Sequence, residues 1–223
     1  MRQMGIGSNH FKSAVAAGLM LAAATVHAGG IEPLVEHFDT DPETNINYMV
    51  QHQPSVDLQH KPSKGLWIGK GLDAPGNFSL AAEISNSGVT GNGFKAHLSV
   101  AKYTSPQNQV RLAVLARKSA LSASGYAGYL KTAKDGIQIM KDGKKVVGEA
   151  WNGSPRGNFD LTLTGTYTAS GALELELTVT NGSNTQTLNY VDPKPAQSGA
   201  FGIIGRVMKG KSVEFDQWTI EAL

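Results

Sequence analysis

Arg111 and Arg117 fall on one side of the alternating segment QVRLAVLAR that starts at Gln109, with Val110, Leu112, Val114 and Ala116 on the other. Strict alternation of this kind describes a half-buried strand, so both guanidinium groups point away from the core. The same reasoning on Lys95–Tyr103 sends Ala96, Leu98 and Val100 inward and Lys95, His97, Ser99 and Tyr103 outward. Tyr129 or Tyr126 on a neighbouring strand joins them, and Gln138 does so if Ile137 and Ile139 are core. A surface of His97, Tyr103, Arg111, Arg117, Tyr129 and Gln138 can grip a carboxylate or sulfate through the Arg forks. Its aromatic rings can lie flat against the apolar face of a sugar, acidic or neutral. Trp151 opens the loop WNGSP, where its ring offers such a platform if exposed and closes a sandwich end if buried.

Two further chemistries can be read from the same residues. His97 with a Tyr can form a base and acid pair, with Arg111 and Arg117 neutralising a uronate carboxylate, which is the requirement of a lyase. Alternatively these are ordinary polar positions on a solvated strand face. Metal chemistry has less to build on: the six His form no H-x-x-x-H pattern. Asp39, Asp41 and Asp216 can supply hard oxygen ligands to a structural Ca²⁺ where the first and last strands meet. Asp41-Pro42 reads equally as a turn opener and Asp216 as a strand cap.

The elements that must carry these residues are almost all strands. Leu173, Leu175, Leu177 and Val179 alternate with Glu174, Glu176, Thr178 and Thr180. Phe78–Ser85, Tyr126–Lys131, Gln186–Val191, Ala200–Arg206 and Val213–Ile220 extend the series, rich in residues suited to a pleated surface. Asp142-Gly143 joins Gly136–Lys141 to Lys144–Glu149, and this pair tolerates positive φ at both turn centres. Ala169-Ser170-Gly171 joins Phe159–Thr168 to Ala172–Thr180. No strong helix is expected; Ser119–Ser124 is apolar but short. Residues 39–70 are the least regular, broken by Pro42, Pro54 and Pro62, with Asn45–Val50 as an edge strand. They either cover a ligand face as a lid or lie elsewhere.

Composition limits the functions available. With no cysteine, the chain has no disulfides, thiolate metal sites, Cys nucleophile or lipid-modified Cys. Residues 1–28 combine Arg2 and Lys12 with the apolar run Ala14–Thr25 and the small-residue ending Val26-His27-Ala28, the pattern of a signal peptide cut before Gly29. This places the remainder, 29–223, in the periplasm or outside the cell, and a cysteine-free exported chain suits a bacterium. Removing Arg2 and Lys12 takes the formal charge of +2 to near neutral, without the clustered basic footprint of a nucleic-acid binder. No stretch reaches the ~20 apolar residues of a membrane-spanning helix.

The chain's ending carries a resemblance. GAFGIIG from Gly199, followed by SVEFDQWTI from Ser212, resembles the closing strands of concanavalin A-like jelly rolls, the fold of laminin-G-like lectins and of glucanases. VEHFD from Val35 is similar to the matching first strand, which in such folds pairs with the last. The resemblance implies an all-β, antiparallel sandwich of jelly-roll topology whose concave sheet faces the ligand, and related jelly rolls hold ions where the end strands meet. The glucanases of this fold carry E-x-D-x-x-E, which is absent here. Glu174 and Glu176 are the nearest same-face pair of carboxylates, although retaining hydrolysis asks for two about 5 Å apart. The 3-keto-disaccharide hydrolase type of domain has a similar ending, but its N-S-G-I strand motif is missing. The expectation is therefore a single exported domain that binds extracellular polysaccharide or oligosaccharide. The alternatives are a glycoside hydrolase or polysaccharide lyase of the same fold, and a structural envelope or matrix protein with no small ligand.

Overall fold

A computed structural model describes residues 34–45, 48–82, 93–116, 125–133, 135–195 and 200–223. Residues 1–28, read above as a leader, lie outside them, as do Arg117 and the 119–124 segment. No helix among the described residues is long and apolar enough to cross a membrane.

The alternating segments form antiparallel strands in two sheets. The first is assembled from β1 (Leu34–Glu36), β3 (Val56–Lys61), β4 (Leu66–Gly71), β6 (Gly93–Tyr103), β11 (Gly157–Tyr167), β12 (Leu173–Asn181), β13 (Asn184–Asp192) and β15 (Ser212–Ala222). Its order is β13-β12-β11-β6-β15-β4-β3, and β1 pairs with β15 at Trp218–Ile220, beyond the reach of β4. The second contains β2 (Tyr48–His52), β5 (Gly76–Ala82), β7 (Gln109–Ala116), β8 (Tyr126–Lys131), β9 (Gly136–Lys141), β10 (Lys144–Glu149) and β14 (Ala200–Val207). Its order is β10-β9-β8-β7-β14-β5-β2. First and last strands pair as the resemblance implies, and the hairpin turn at Asp142-Gly143 has positive φ at both residues (50° and 75°).

One apolar core fills the space between the sheets. Leu98, Leu163, Leu177 and Trp218 of the eight-stranded sheet meet Leu80, Leu112, Ile139 and Ile203 of the seven-stranded one. Trp67 packs against Phe38, Phe78 and Phe215 with ring centroids 5.3–6.0 Å apart. Gly128 lets Leu177 approach the sheet, since a Cβ there would lie 2.6 Å from its Cδ1.

The 39–70 region is more regular than its prolines suggest. Pro54 and Pro62 bound β3 rather than break it, and β2 takes the outer edge of the seven-stranded sheet. The described part of this region forms the edge strands β2 and β3 and most of β4, which lies between β3 and β15, and does not form a lid. A buried Glu36 carboxylate fixes its start, accepting the Phe38 N–H at 2.6 Å and the Tyr48 hydroxyl at 2.7 Å.

Two β-bulges change which side chains face the core. Between Val100 and Tyr103, β6 contains an extra residue, because Glu214 pairs with Lys102 and Phe215 with Val100. On β15, Asp216 is the extra residue between Phe215, opposite Val100, and Gln217, opposite Ser99. One inserted residue shifts the alternation by one, so every later side chain changes face. Val213 and Phe215 are buried before the β15 bulge, and Trp218 and Ile220 after it.

Candidate functional site

The bulge on β6 corrects the expectation for Tyr103. It turns inward, 1% exposed, with its ring edge-on to Phe159 at 5.3 Å and its hydroxyl donating to the Asn108 carbonyl. Burial pushes that hydroxyl's pKa well above its usual range. Trp151 is likewise inside rather than a platform. It is 9% exposed, its Nε1–H donates to the Ser154 carbonyl at 2.9 Å, and its ring meets Phe159 at 5.7 Å. The large ring closes one end of the sandwich over its own loop.

His97 and Arg111 both face outward, but on opposite sides of the molecule. β6 and β7 are consecutive in the chain and belong to different sheets, so their outer faces are separated by the whole core. A joint site of His97 with Arg111 and Tyr129 is therefore not assembled, and neither is the base, acid and Arg set of a lyase. On its own face, His97 Nδ1 lies 3.2 Å from Thr162 Oγ1, and Nε2 lies 3.7 Å from Asp160 Oδ1. Burial lowers the His97 pKa, with nearby Lys95 adding to the effect and Asp160 and Asp216 opposing it. Thr219, His97, Thr162, Thr178 and Thr187 run side by side across this face, flanked by the exposed Glu174 and Glu176.

The three proposed calcium ligands do not converge, and no group of three or more His, Asp or Glu able to hold a metal occurs among the described residues. Asp41 is already engaged: its Oδ1 accepts the Glu43 N–H at 3.0 Å and caps a short 3₁₀ turn, Pro42–Thr44. Asp216 sits on the β15 bulge, where its Oδ1 is buried without a hydrogen bond. Asp39 lies near Gly65, with its Oδ1 3.5 Å from where a Cβ on that glycine would sit.

The seven-stranded sheet is where predicted residues meet. Register places Gln51, Ser79, Ile204, Arg111, Tyr129 and Gln138 in one unbroken row across six strands of its outer face. Arg111 lies over the Tyr129 ring, with its guanidinium carbon 5.4 Å from the centroid. Such a cation–π contact holds the fork in place while leaving N–H groups for other acceptors. Tyr129 is only 5% exposed although it faces away from the core. Burial, with Asp135 adding to it and Arg111 and Arg206 opposing, raises its hydroxyl pKa to about 12. At neutral pH it is a hydrogen-bond donor and not a base. Gln138 Nε2 donates to the Asp135 carbonyl at 3.1 Å.

Beside this polar row runs an apolar one. Met49, Ala81, Gly202, Ala113, Ala127 and Met140 are adjacent across the same six strands. Ala81, Ala113 and Ala127 are buried, flanked by Met49, Met140 and Ile204 as a second, small apolar cluster. Ala81 and Ala113 are 0% exposed and Ala127 8%, so it is the longer, partly buried Met49 and Met140 that this row shows to solvent. Strand alternation could not reveal the row because it required knowing which strands are neighbours. Arg206 was missed for the same reason. It lies two residues beyond Ile204, diagonal to Arg111 on the same face.

No protein-family model matches the chain, and no curated protein does. Solved structures do. A protein of unknown function from Shewanella oneidensis MR-1 is 12% identical, with 96% of each chain covered and a TM-score of 0.56. The legume lectin-like domain from Entamoeba histolytica is 13% identical, covering 85% of this chain and 97% of that one, with a TM-score of 0.52. A carbohydrate-binding module from Bacillus subtilis is 12% identical, covering 78% and 95%, with a TM-score of 0.51. The fold is that of concanavalin A-like, lectin-type jelly rolls. Similarity at these identities defines the fold and leaves the ligand open.

Proposed function

We propose that this is an exported saccharide-binding domain that recognises extracellular oligo- or polysaccharide on the outer face of its seven-stranded sheet. The observation that carries the reading is the pair of adjacent rows on that face. One presents the half-buried Ser79, Arg111 and Gln138, with Arg111 braced on the Tyr129 ring, and the other presents the partly buried side chains of Met49 and Met140, packed against Ala81, Ala113 and Ala127. A sugar ring has the same division, with C–H groups on its faces and hydroxyls around its edge. Small-molecule sites commonly combine an apolar lining with a few placed polar groups in this way. The solved lectin-like domain and carbohydrate-binding module of the same fold lend weight to a saccharide ligand. Export rests on the leader pattern of residues 1–28.

Binding is favoured over turnover because His97, the one imidazole in the predicted lyase set, faces away from Arg111 and Tyr129. The experiment is a glycan-array screen with and without Ca²⁺, followed by calorimetry on Arg111→Ala and Gln138→Ala. A hit weakened about tenfold or more in either variant is expected, since each removes a polar contact worth on the order of 1–3 kcal/mol. A hit that both variants bind as well as the parent would place the site elsewhere, and absence of any hit would refute the reading.

A further inference from the structure

We propose that the ligand of this face is anionic, a saccharide bearing a carboxylate or sulfate that bridges Arg111 and Arg206. The inference rests on the saccharide reading above and adds the ligand's charge.

Arg111 is half-buried, yet among the described residues neither its side chain nor that of Arg206 has a carboxylate partner or a hydrogen bond. Arg is rarely withdrawn from water unless something balances its charge. Asp135, the described acid that acts on Tyr129 of this row, is taken: its Oδ2 lies 2.6 Å from Lys131 Nζ. Arg206 compounds the imbalance, because two guanidinium groups at diagonal positions on one sheet face repel. Burial first and Arg206 second depress the Arg111 pKa, while Tyr129 opposes them. An anion seated between the two cations would remove that repulsion and replace lost water.

The geometry suits an oxyanion. The Tyr129 ring braces Arg111 from one side, so its planar fork is oriented before the ligand arrives, and Arg recognises carboxylate and sulfate oxygens in pairs. The apolar row that ends in Met49 and Met140 lies on the side of Arg111 away from Arg206, since Gly202 and Ala113 pair there while Arg206 pairs with Gln109. A sugar ring lying against Met49 or Met140 on that row would therefore project a charged substituent toward the Arg pair. The opposite outer face holds Asp160, Glu174 and Glu176, which would repel the same ligand.

The test is calorimetry of the full chain with three probes: tetragalacturonate, the same tetrasaccharide with its carboxyls reduced to alcohols, and a sulfated carrageenan tetrasaccharide. We expect one of the anionic probes to bind about tenfold or more tighter than the neutral one, with the preference falling as salt rises. Whichever it is distinguishes carboxylate from sulfate. Arg206→Ala, an exposed position whose loss should leave the melting temperature unchanged, is expected to abolish the preference, and Arg111→Lys to weaken it. Equal binding of neutral and anionic probes, with Gln138→Ala weakening both, would overturn the anion while leaving the saccharide reading intact. An anion preference that survives both Arg variants would also overturn it. Failure of all three probes, together with an empty glycan array, would sink both readings.

Discussion

Asp192 ties the two sheets together at one end of the sandwich, and its removal should be costly in a pH-dependent way. It lies on β13, 2% exposed, and its Oδ2 takes the Lys141 ammonium at 2.6 Å and the Tyr126 hydroxyl, both from the other sheet. Its Oδ1 accepts the Lys194 N–H at 3.1 Å. Asp192→Asn keeps the shape but puts an NH₂ where an oxygen faced a donor, whichever way the amide turns. One mismatched buried hydrogen bond costs about 1–3 kcal/mol, and losing the ion pair adds about 1 kcal/mol. Lys141 is partly relieved by its own exposure and by the Lys194 carbonyl at 3.4 Å, so the total is on the order of 3 kcal/mol. For a domain of this size that lowers the melting temperature by roughly 6–12 °C.

The sign of the pH dependence follows from the carboxyl's surroundings. Burial alone would raise its pKa from 3.8, but Lys141, Tyr126 and the Lys194 N–H together outweigh burial and bring it below that value. The unfolded chain therefore protonates first as pH falls, and this contribution to stability, complete above about pH 5, is lost as pH drops through 3.8 toward the folded pKa. The variant has no such group, so the stability gap between parent and Asp192→Asn should narrow between pH 5 and pH 2.5. Urea unfolding at a series of pH values reads both quantities. A gap below about 0.5 kcal/mol at pH 7, or one that stays constant down to pH 2.5, would refute the reasoning.

Gly205→Ala should destabilise by about 1–3 kcal/mol, because its methyl would overlap the buried Phe78 ring. Adding Phe78→Leu should cost less than the two changes separately; strict additivity in a double-mutant cycle would show that the ring is not the obstacle. His97→Ala should leave saccharide affinity unchanged, since its face is the outer side of the other sheet. A loss of binding in a variant that melts normally would move the site to that face.

Much of the fold can be read from local pattern because each signal is tied to one physical requirement. Period two identifies β7 and β12, Asp142-Gly143 supplies the left-handed residues of a two-residue turn, and the closing motif pairs the last strand with the first. The weaker region around β3 and β4 was obscured by Pro54 and Pro62, whose positions at strand ends are compatible with a sheet but look in sequence like interruptions.

The site was legible only in part, and the reason is geometrical. Alternation distinguishes inward from outward, but a sandwich has two outward directions. His97 and Arg111 satisfy the same rule on consecutive strands and still end on opposite surfaces, because the chain crosses between sheets after β6. Arg111, Tyr129 and Gln138 could be grouped because β7, β8 and β9 are consecutive in both sequence and sheet. Arg206 could not, as β14 reaches β7 only through a pairing between strands far apart in the chain. Bulges add a second loss of information: a single unpaired residue at Asp216, or the one inserted before Tyr103, reverses every later side chain without altering composition or hydropathy. The cation pair on which ligand charge depends is thus a property of strand order. A homologous chain would preserve it only by keeping basic residues at both positions of the β7–β14 pair, so covariation between those two strands is a sharper criterion for the site than the presence of either Arg alone.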